Sequence, residues 1–134
     1  MTGKIQTGGI YMEQQGSGDL LLVEAYGNGG FRLHGRRVEG SVLLVGDGFF
    51  PIDAKTVADL TEADFDAVFS VENKPEILFV GTGEKMQLLP ASIRKCLEAK
   101  GLMPELMDTG AAARTLNVLR MEDRRVAALL LQVD

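Results

Sequence analysis

The run EILFV at 76–80 constrains the fold more than any other stretch. A strand with one wet face alternates apolar and polar residues, whereas this one carries no such alternation inside it, as expected of a strand buried on both faces. Such a strand needs cover above and below, and the residues that follow supply it in turn. Pro90 suits the first turn of a helix, which places Ile93, Cys96 and Leu97 on one face and stops at Lys100-Gly101. A short strand is expected over 102–107. Thr109 can then N-cap a helix whose buried stripe is Ala112, Leu116 and Leu119. After the charged turn Glu122-Asp123-Arg124-Arg125 comes a last strand over 126–132. Strand–helix–strand crossovers are right-handed, so strands 76–80 and 102–107 should lie parallel with their C-terminal ends together.

The first half reads differently. LLLVEAY (20–26), FRLHG (31–35), RVEGSVLLVG (37–46) and FFPID (49–53) are short, rich in Val, Leu and Phe, and divided by Asn28-Gly29 and Asp47-Gly48. Those dipeptides favour type I′ turns, which predicts a β-meander. Pro51 argues for an edge position in its strand. Thr61 and Asp64 have capping-box spacing and open a helix with Phe65, Val68 and Phe69 on one face, ended by Asn73-Lys74-Pro75. Residues 1–19 are polar and Gly-rich and read as a flexible lead-in with one short strand around 10–12. A single α/β domain over 20–134 is the expectation for a chain of 134 residues.

Charge and composition narrow the function. The net charge of −5 leaves no broad basic surface, which disfavours nucleic acid or an anionic membrane as a partner. A single cysteine, Cys96, excludes an intramolecular disulfide and Cys-rich metal sites. The N-terminal residues lack the apolar region of a secretory signal, and no run approaches the ~20 apolar residues of a spanning helix. The cytoplasm is the default location, without membrane insertion.

If strands 76–80 and 102–107 are parallel, Gly81-Thr82-Gly83 and Asp108-Thr109-Gly110 leave the same sheet edge, where open α/β sheets bind ligands. The helix at Thr109 points its N–H groups there, and Arg114 and Asn117 lie within its first two turns. A small anionic or carbonyl-bearing ligand would find backbone donors, two hydroxyls and a guanidinium. The same residue types also serve as caps and loop pins, so both readings stand. Gly81-Thr82-Gly83 has Met86 where a dinucleotide fingerprint needs its third glycine, and no phosphate-loop pattern occurs. His34 is the only histidine, which leaves no expected metal site or cofactor, and Ser70 and Ser92 lack a nucleophile-elbow context. Cys96 reads as a buried, inert thiol, and Asp64, Asp66, Glu122 and Asp123 as solvated carboxylates. The cluster from Arg120 to Arg125 reads as a surface network. Phe49 and Phe50 point to opposite faces of their strand, so one of them could belong to a partner surface.

AYGNGGFRLHG (25–35), EGSVLLV (39–45), ILFVGTG (77–83) and MDTGAAARTLNVLRMEDRRVAALLL (107–131) occur in order. Together they resemble the domain-of-unknown-function family that includes the mitochondrial complex I assembly factor 3 and the adipogenesis-associated domain protein. The resemblance covers nearly everything after residue 19. It implies a three-layer α/β fold: a central, mixed but mostly parallel sheet of about five strands, an N-terminal β-meander and flanking helices. It implies no established enzyme activity, and mitochondrial members look like assembly factors acting by protein contact. By position, Gly81, Thr82, Gly83, Asp108, Thr109, Arg114, Thr115 and Asn117 match the family's run. The chain departs at Ala113, where the family often has Cys, and at Leu116, where it often has an aromatic residue, which puts a thiol mechanism in doubt.

The expectation is therefore a non-catalytic interaction or assembly-factor-like domain with a protein partner. The alternative is a small-ligand domain or enzyme with its site at the C-terminal ends of 76–80 and 102–107. An exposed edge strand in the meander would make a homodimer easy to form.

Overall fold

The computed structural model describes residues 5–6, 9–11 and 20–134. Its strands are β1 (Ile5–Gln6), β2 (Gly9–Tyr11), β3 (Val23–Gly27), β4 (Gly30–Leu33), β5 (Arg36–Glu39), β6 (Ser41–Val45), β7 (Gly48–Ile52), β8 (Ile77–Gly81), β9 (Pro104–Met107) and β10 (Val126–Leu130). The helices are α1 (Asp66–Ser70), α2 (Ala91–Ala99) and α3 (Thr109–Met121), and 3-10 turns span Val57–Asp59 and Glu62–Phe65. Apart from β1 and β2, the expected lead-in 1–19 lies outside the described residues.

The protein is a mixed α/β fold with two sheets, one ordered β1-β2-β7-β6-β10-β8-β9 and a smaller one ordered β3-β4-β5. The large sheet corrects the expectation of a mostly parallel one. Only β10 with β8 and β8 with β9 run parallel; β6 with β10, β6 with β7, β2 with β7 and β1 with β2 are antiparallel. For β6 with β7 the cause is local: a two-residue turn joins them, which allows only antiparallel pairing. Gly46, at φ 61°, opens that turn, one residue earlier than the Asp47-Gly48 turn expected.

The stretch 37–46 is not one strand. Gly40, at φ 87°, breaks it, so β5 completes the small meander while β6 enters the large sheet. His34 also leaves its expected strand; with Gly35 it forms a left-handed turn, at φ 48° and 72°. The described pairs between β7 and β2 end at Phe49, two residues before Pro51.

Side-chain alternation along the central strands divides the core. From β10, Val126, Ala128 and Leu130 join a cluster with Leu21, Val23, Phe31, Leu33, Ala112, Ala113 and Leu116, beneath α3 and the small sheet. Ala127, Leu129 and Leu131 join the opposite cluster with Phe65, Val68, Ile93 and Leu97, beneath α1 and α2. The unbroken apolar strands β6, β8 and β10 are thus buried on both faces.

The segment after Thr61 begins as a 3-10 turn, with the Asp64 carboxylate accepting from the Thr61 N–H at 2.9 Å, and α1 ends at Ser70, before Asn73. Helix α2 starts after Pro90 and closes at Gly101, where the Leu102 N–H reaches the Leu97 carbonyl at 3.0 Å.

Candidate functional site at the strand ends

β8 and β9 are parallel with Gly81 paired to Met107, so Gly81-Thr82-Gly83 and Asp108-Thr109-Gly110 do emerge on one rim. The two loops are bonded directly to each other. The Thr82 N–H donates to the Met107 carbonyl at 2.8 Å, and the Thr109 N–H donates to the Gly83 carbonyl at 2.8 Å. The N-cap of α3 is Asp108, not Thr109: its carboxylate accepts from the Ala111 N–H at 2.8 Å.

Thr109 has another task. It is fully buried, donates its hydroxyl to the Leu131 carbonyl at 2.7 Å, and accepts from the Gly83 N–H at 3.0 Å. One hydroxyl therefore ties together the ends of β8, β10 and α3. Gly81 permits this approach, since a Cβ there would lie 2.8 Å from the Thr109 Cα. Thr82 is equally committed. Its hydroxyl donates between the Lys85 and Met107 carbonyls, at 2.8 and 3.1 Å, and accepts from the Gln87 N–H at 2.9 Å.

Arg114 and Asn117 do not converge on this rim; both turn toward the small sheet. Asn117 Oδ1 accepts from the Val23 N–H at 2.9 Å while its Nδ2 donates to the Val23 carbonyl at 2.8 Å. Arg114 Nη1 donates to the Tyr26 hydroxyl at 2.9 Å, above Gly110, where a Cβ would lie 2.5 Å from that oxygen. Thr115 donates back to the Ala111 carbonyl at 2.8 Å. Beside the rim lies an open groove of about 290 Å³ with Lys55, Thr56, Glu84, Lys85 and Gln132 in its walls.

Phe49 is buried against the α3-side cluster and offers no surface to a partner. Phe50 is half-buried against the opposite cluster. Both faces of the sheet are covered, so alternation sends neither ring fully into solvent. The exposed apolar side chains beside the rim are instead Met86 and Leu88, 56% and 76% exposed. Both lie in the segment between Gly83 and α2, which the alternation of strands and helices passes over.

Cys96 is half-buried, and desolvation, then a hydrogen bond with Glu62, push its thiol up from the usual range. Ala113 packs in the core beside Leu116. Among the described residues no group of His, Cys, Asp or Glu clusters as a metal would need, and no helix is long and apolar enough to cross a membrane.

Arg120 corrects the expectation of a surface network. It is 8% exposed, because it follows Ala112, Ala113 and Leu116 along the buried stripe of α3. Its Nη1 donates to the Leu21 carbonyl at 3.2 Å, and its buried Nε has no hydrogen-bond partner among the described residues. Burial pushes its pKa down from the ordinary value, while Asp47 pulls it back up. Arg124 does sit in a surface network, with its Nε 2.6 Å from Glu76 Oε1, and Arg125 Nη2 lies 3.9 Å from Glu76 Oε2.

Known proteins resemble this chain in sequence and in fold. The human NADH dehydrogenase [ubiquinone] 1 alpha subcomplex assembly factor 3 is 28% identical over 122 residues, 91% of this chain. The chain spans 66% of that relative's length and 60% of the rat counterpart's. An uncharacterized protein of Rhodobacter capsulatus is 35% identical over 118 residues, covering 88% of this chain and 90% of its own. Among solved structures, a Bartonella henselae protein described as an outer membrane protein is similar with a TM-score of 0.79 and 39% identity, over 86% of this chain and 97% of its own. A Bordetella pertussis protein described as an Mth938-like domain is similar with a TM-score of 0.72 and 29% identity, over 90% of each chain. With residues 23–131 matching its pattern, the chain belongs to the protein family of unknown function DUF498/DUF598.

Proposed function

We propose that this protein is a non-catalytic assembly factor that works by protein contact, with subunits of an NADH dehydrogenase as its partners and the cytoplasm as its location. The observation that carries this reading is the internal use of the polar groups at the strand ends. The hydroxyls of Thr82 and Thr109 and the amide of Asn117 are each bonded within the fold. Catalysis needs donors and bases aimed at a reacting atom, and groups bonded in this way are aimed at the chain itself. The name of the human relative supplies the class of partner.

The contact surface in this reading is the segment carrying Met86 and Leu88. Solvent-exposed apolar side chains grouped on one loop are a common mark of a protein-binding surface. The test is affinity capture of the tagged full chain from its source cell, beside the double variant Met86→Ser, Leu88→Ser. Recovery of NADH dehydrogenase subunits with the parent and their loss with the variant is expected, together with less assembled enzyme on native gels when the gene is deleted. Equal recovery by both proteins would remove the loop from the reading. Unchanged assembly in the deletion strain would overturn the function itself.

A further inference from the structure

At the end of the sheet opposite the strand-end loops is a second groove, of about 340 Å³, with Arg120 in its wall. That volume stands at the lower end of the roughly 300–1,000 Å³ usual for small-ligand pockets. Its walls divide by character. Leu20, Val45, Pro75 and Val126 form an apolar side, and Arg120 with the rim residues Asp47 and Asp123 forms the polar side. Arg124 and Arg125 also border it, but their charges are engaged by Glu76.

Arg120 is the unusual member. A buried arginine is ordinarily matched by a carboxylate, because an unpaired buried charge is costly. Here its protein contact is a backbone carbonyl, its Nε is orphaned, and no ion pair joins it to Asp47 among the described residues. From a buried cation with no direct ion-pair partner among the described residues, in the wall of a partly apolar groove, we infer that this groove binds a small carboxylic acid, with the carboxylate on Arg120 and its aliphatic chain along Leu20, Val45, Pro75 and Val126. A monoanion suits the site better than a phosphate dianion, since Asp47 and Asp123 stand on the same rim. The site is separate from the Met86–Leu88 loop and does not depend on the assembly reading.

The experiment is a titration of the isotope-labelled full chain with hexanoate, hexanamide and inorganic phosphate, followed by NMR at the Arg120 side-chain Nε–H and the Val45, Asp47 and Val126 amides. Hexanoate should shift these signals saturably, with hexanamide and phosphate leaving them in place. Arg120→Met should weaken hexanoate at least about tenfold, the loss expected for a hydrogen bond to a charged group. Should that variant not fold, Val126→Phe narrows the apolar side and should weaken binding while Arg120 stays in place. Equal shifts with hexanamide would overturn the role of the charge. No shift in the parent would overturn the site, and binding that appears only in Asp47→Asn would identify the chain's own carboxylate as the occupant.

Discussion

Asn117 holds Val23 by both polar groups of its backbone, accepting from its N–H and donating to its carbonyl, so one side chain of α3 does for β3 what a neighbouring strand would do. β3 pairs with β4 on one side, and Asn117 serves it on the other, where no further strand follows among the described residues. Asn117→Ala should destabilise the protein by about 1–3 kcal/mol, the cost of leaving partly buried backbone groups unpaired. Urea unfolding measures the loss. Faster exchange of the Val23 amide than of the β8 amides would localise it to the small sheet.

The contact between Gly81 and Thr109 gives a second expectation. Gly81→Ala drives a methyl against the α3 backbone and should cost about 1–3 kcal/mol. Thr109→Val keeps the shape but strands the Gly83 N–H and the Leu131 carbonyl, at a similar cost of about 1–3 kcal/mol. Because both changes strike one contact, the double variant should lose less than the sum. Additive losses in a thermodynamic cycle would contradict the coupling.

Glu76 should titrate abnormally. The hydrogen bond from Arg124, and then its charge, hold the Glu76 carboxyl below its ordinary value. A carboxyl depressed in the folded state contributes stability above the unfolded-state pKa, about 4.3 for Glu, and that contribution is lost as pH falls through the folded value. In Arg124→Gln the Glu76 titration followed by NMR should return toward the ordinary value, and the acid side of the stability profile should flatten.

Asp123 occupies the left-handed position that ends α3, at φ 62°, with its N–H donating to the Arg120 carbonyl at 3.0 Å and the Arg124 N–H to the Leu119 carbonyl at 3.0 Å. Glycine is the usual residue at such a helix end. Asp123→Gly should therefore stabilise the protein by about 0.5–1 kcal/mol, read as a higher denaturation midpoint at unchanged slope. A lower midpoint would show that the carboxylate matters more than the backbone strain.

Local chemistry made parts of this fold legible. The apolar run at 77–80, Gly101 after α2, and the capping pair Thr61 and Asp64 all carry their signals within a few residues. The shared rim followed too, because crossover handedness joins 77–81 to 104–107 through one helix. Strand order in the large sheet was not legible, since β10 enters between β6 and β8 through contacts distant in sequence. Gly40 is hard to read because β-forming residues, Val38 and Val42, stand two positions away on each side, and nothing local says that they belong to different sheets. At the site, residue types suggested a crevice, but the same types served as internal ties. Arg120 looked solvated among its charged neighbours, yet four residues after Leu116 it stands on the buried stripe.

The position of β10 has a kinetic consequence. Val126–Leu130 joins β6 to β8, so the two halves of the large sheet have no shared hydrogen-bonded edge until this late segment arrives. During synthesis, β6–β7 and β8–β9 emerge first with their inner edges open, and such edges readily recruit a wrong strand. Pairings this far apart along the chain also slow folding. The nascent polypeptide is therefore most vulnerable just before residue 126 leaves the ribosome, and a transcript cut short there would yield an aggregation-prone product rather than a smaller working protein.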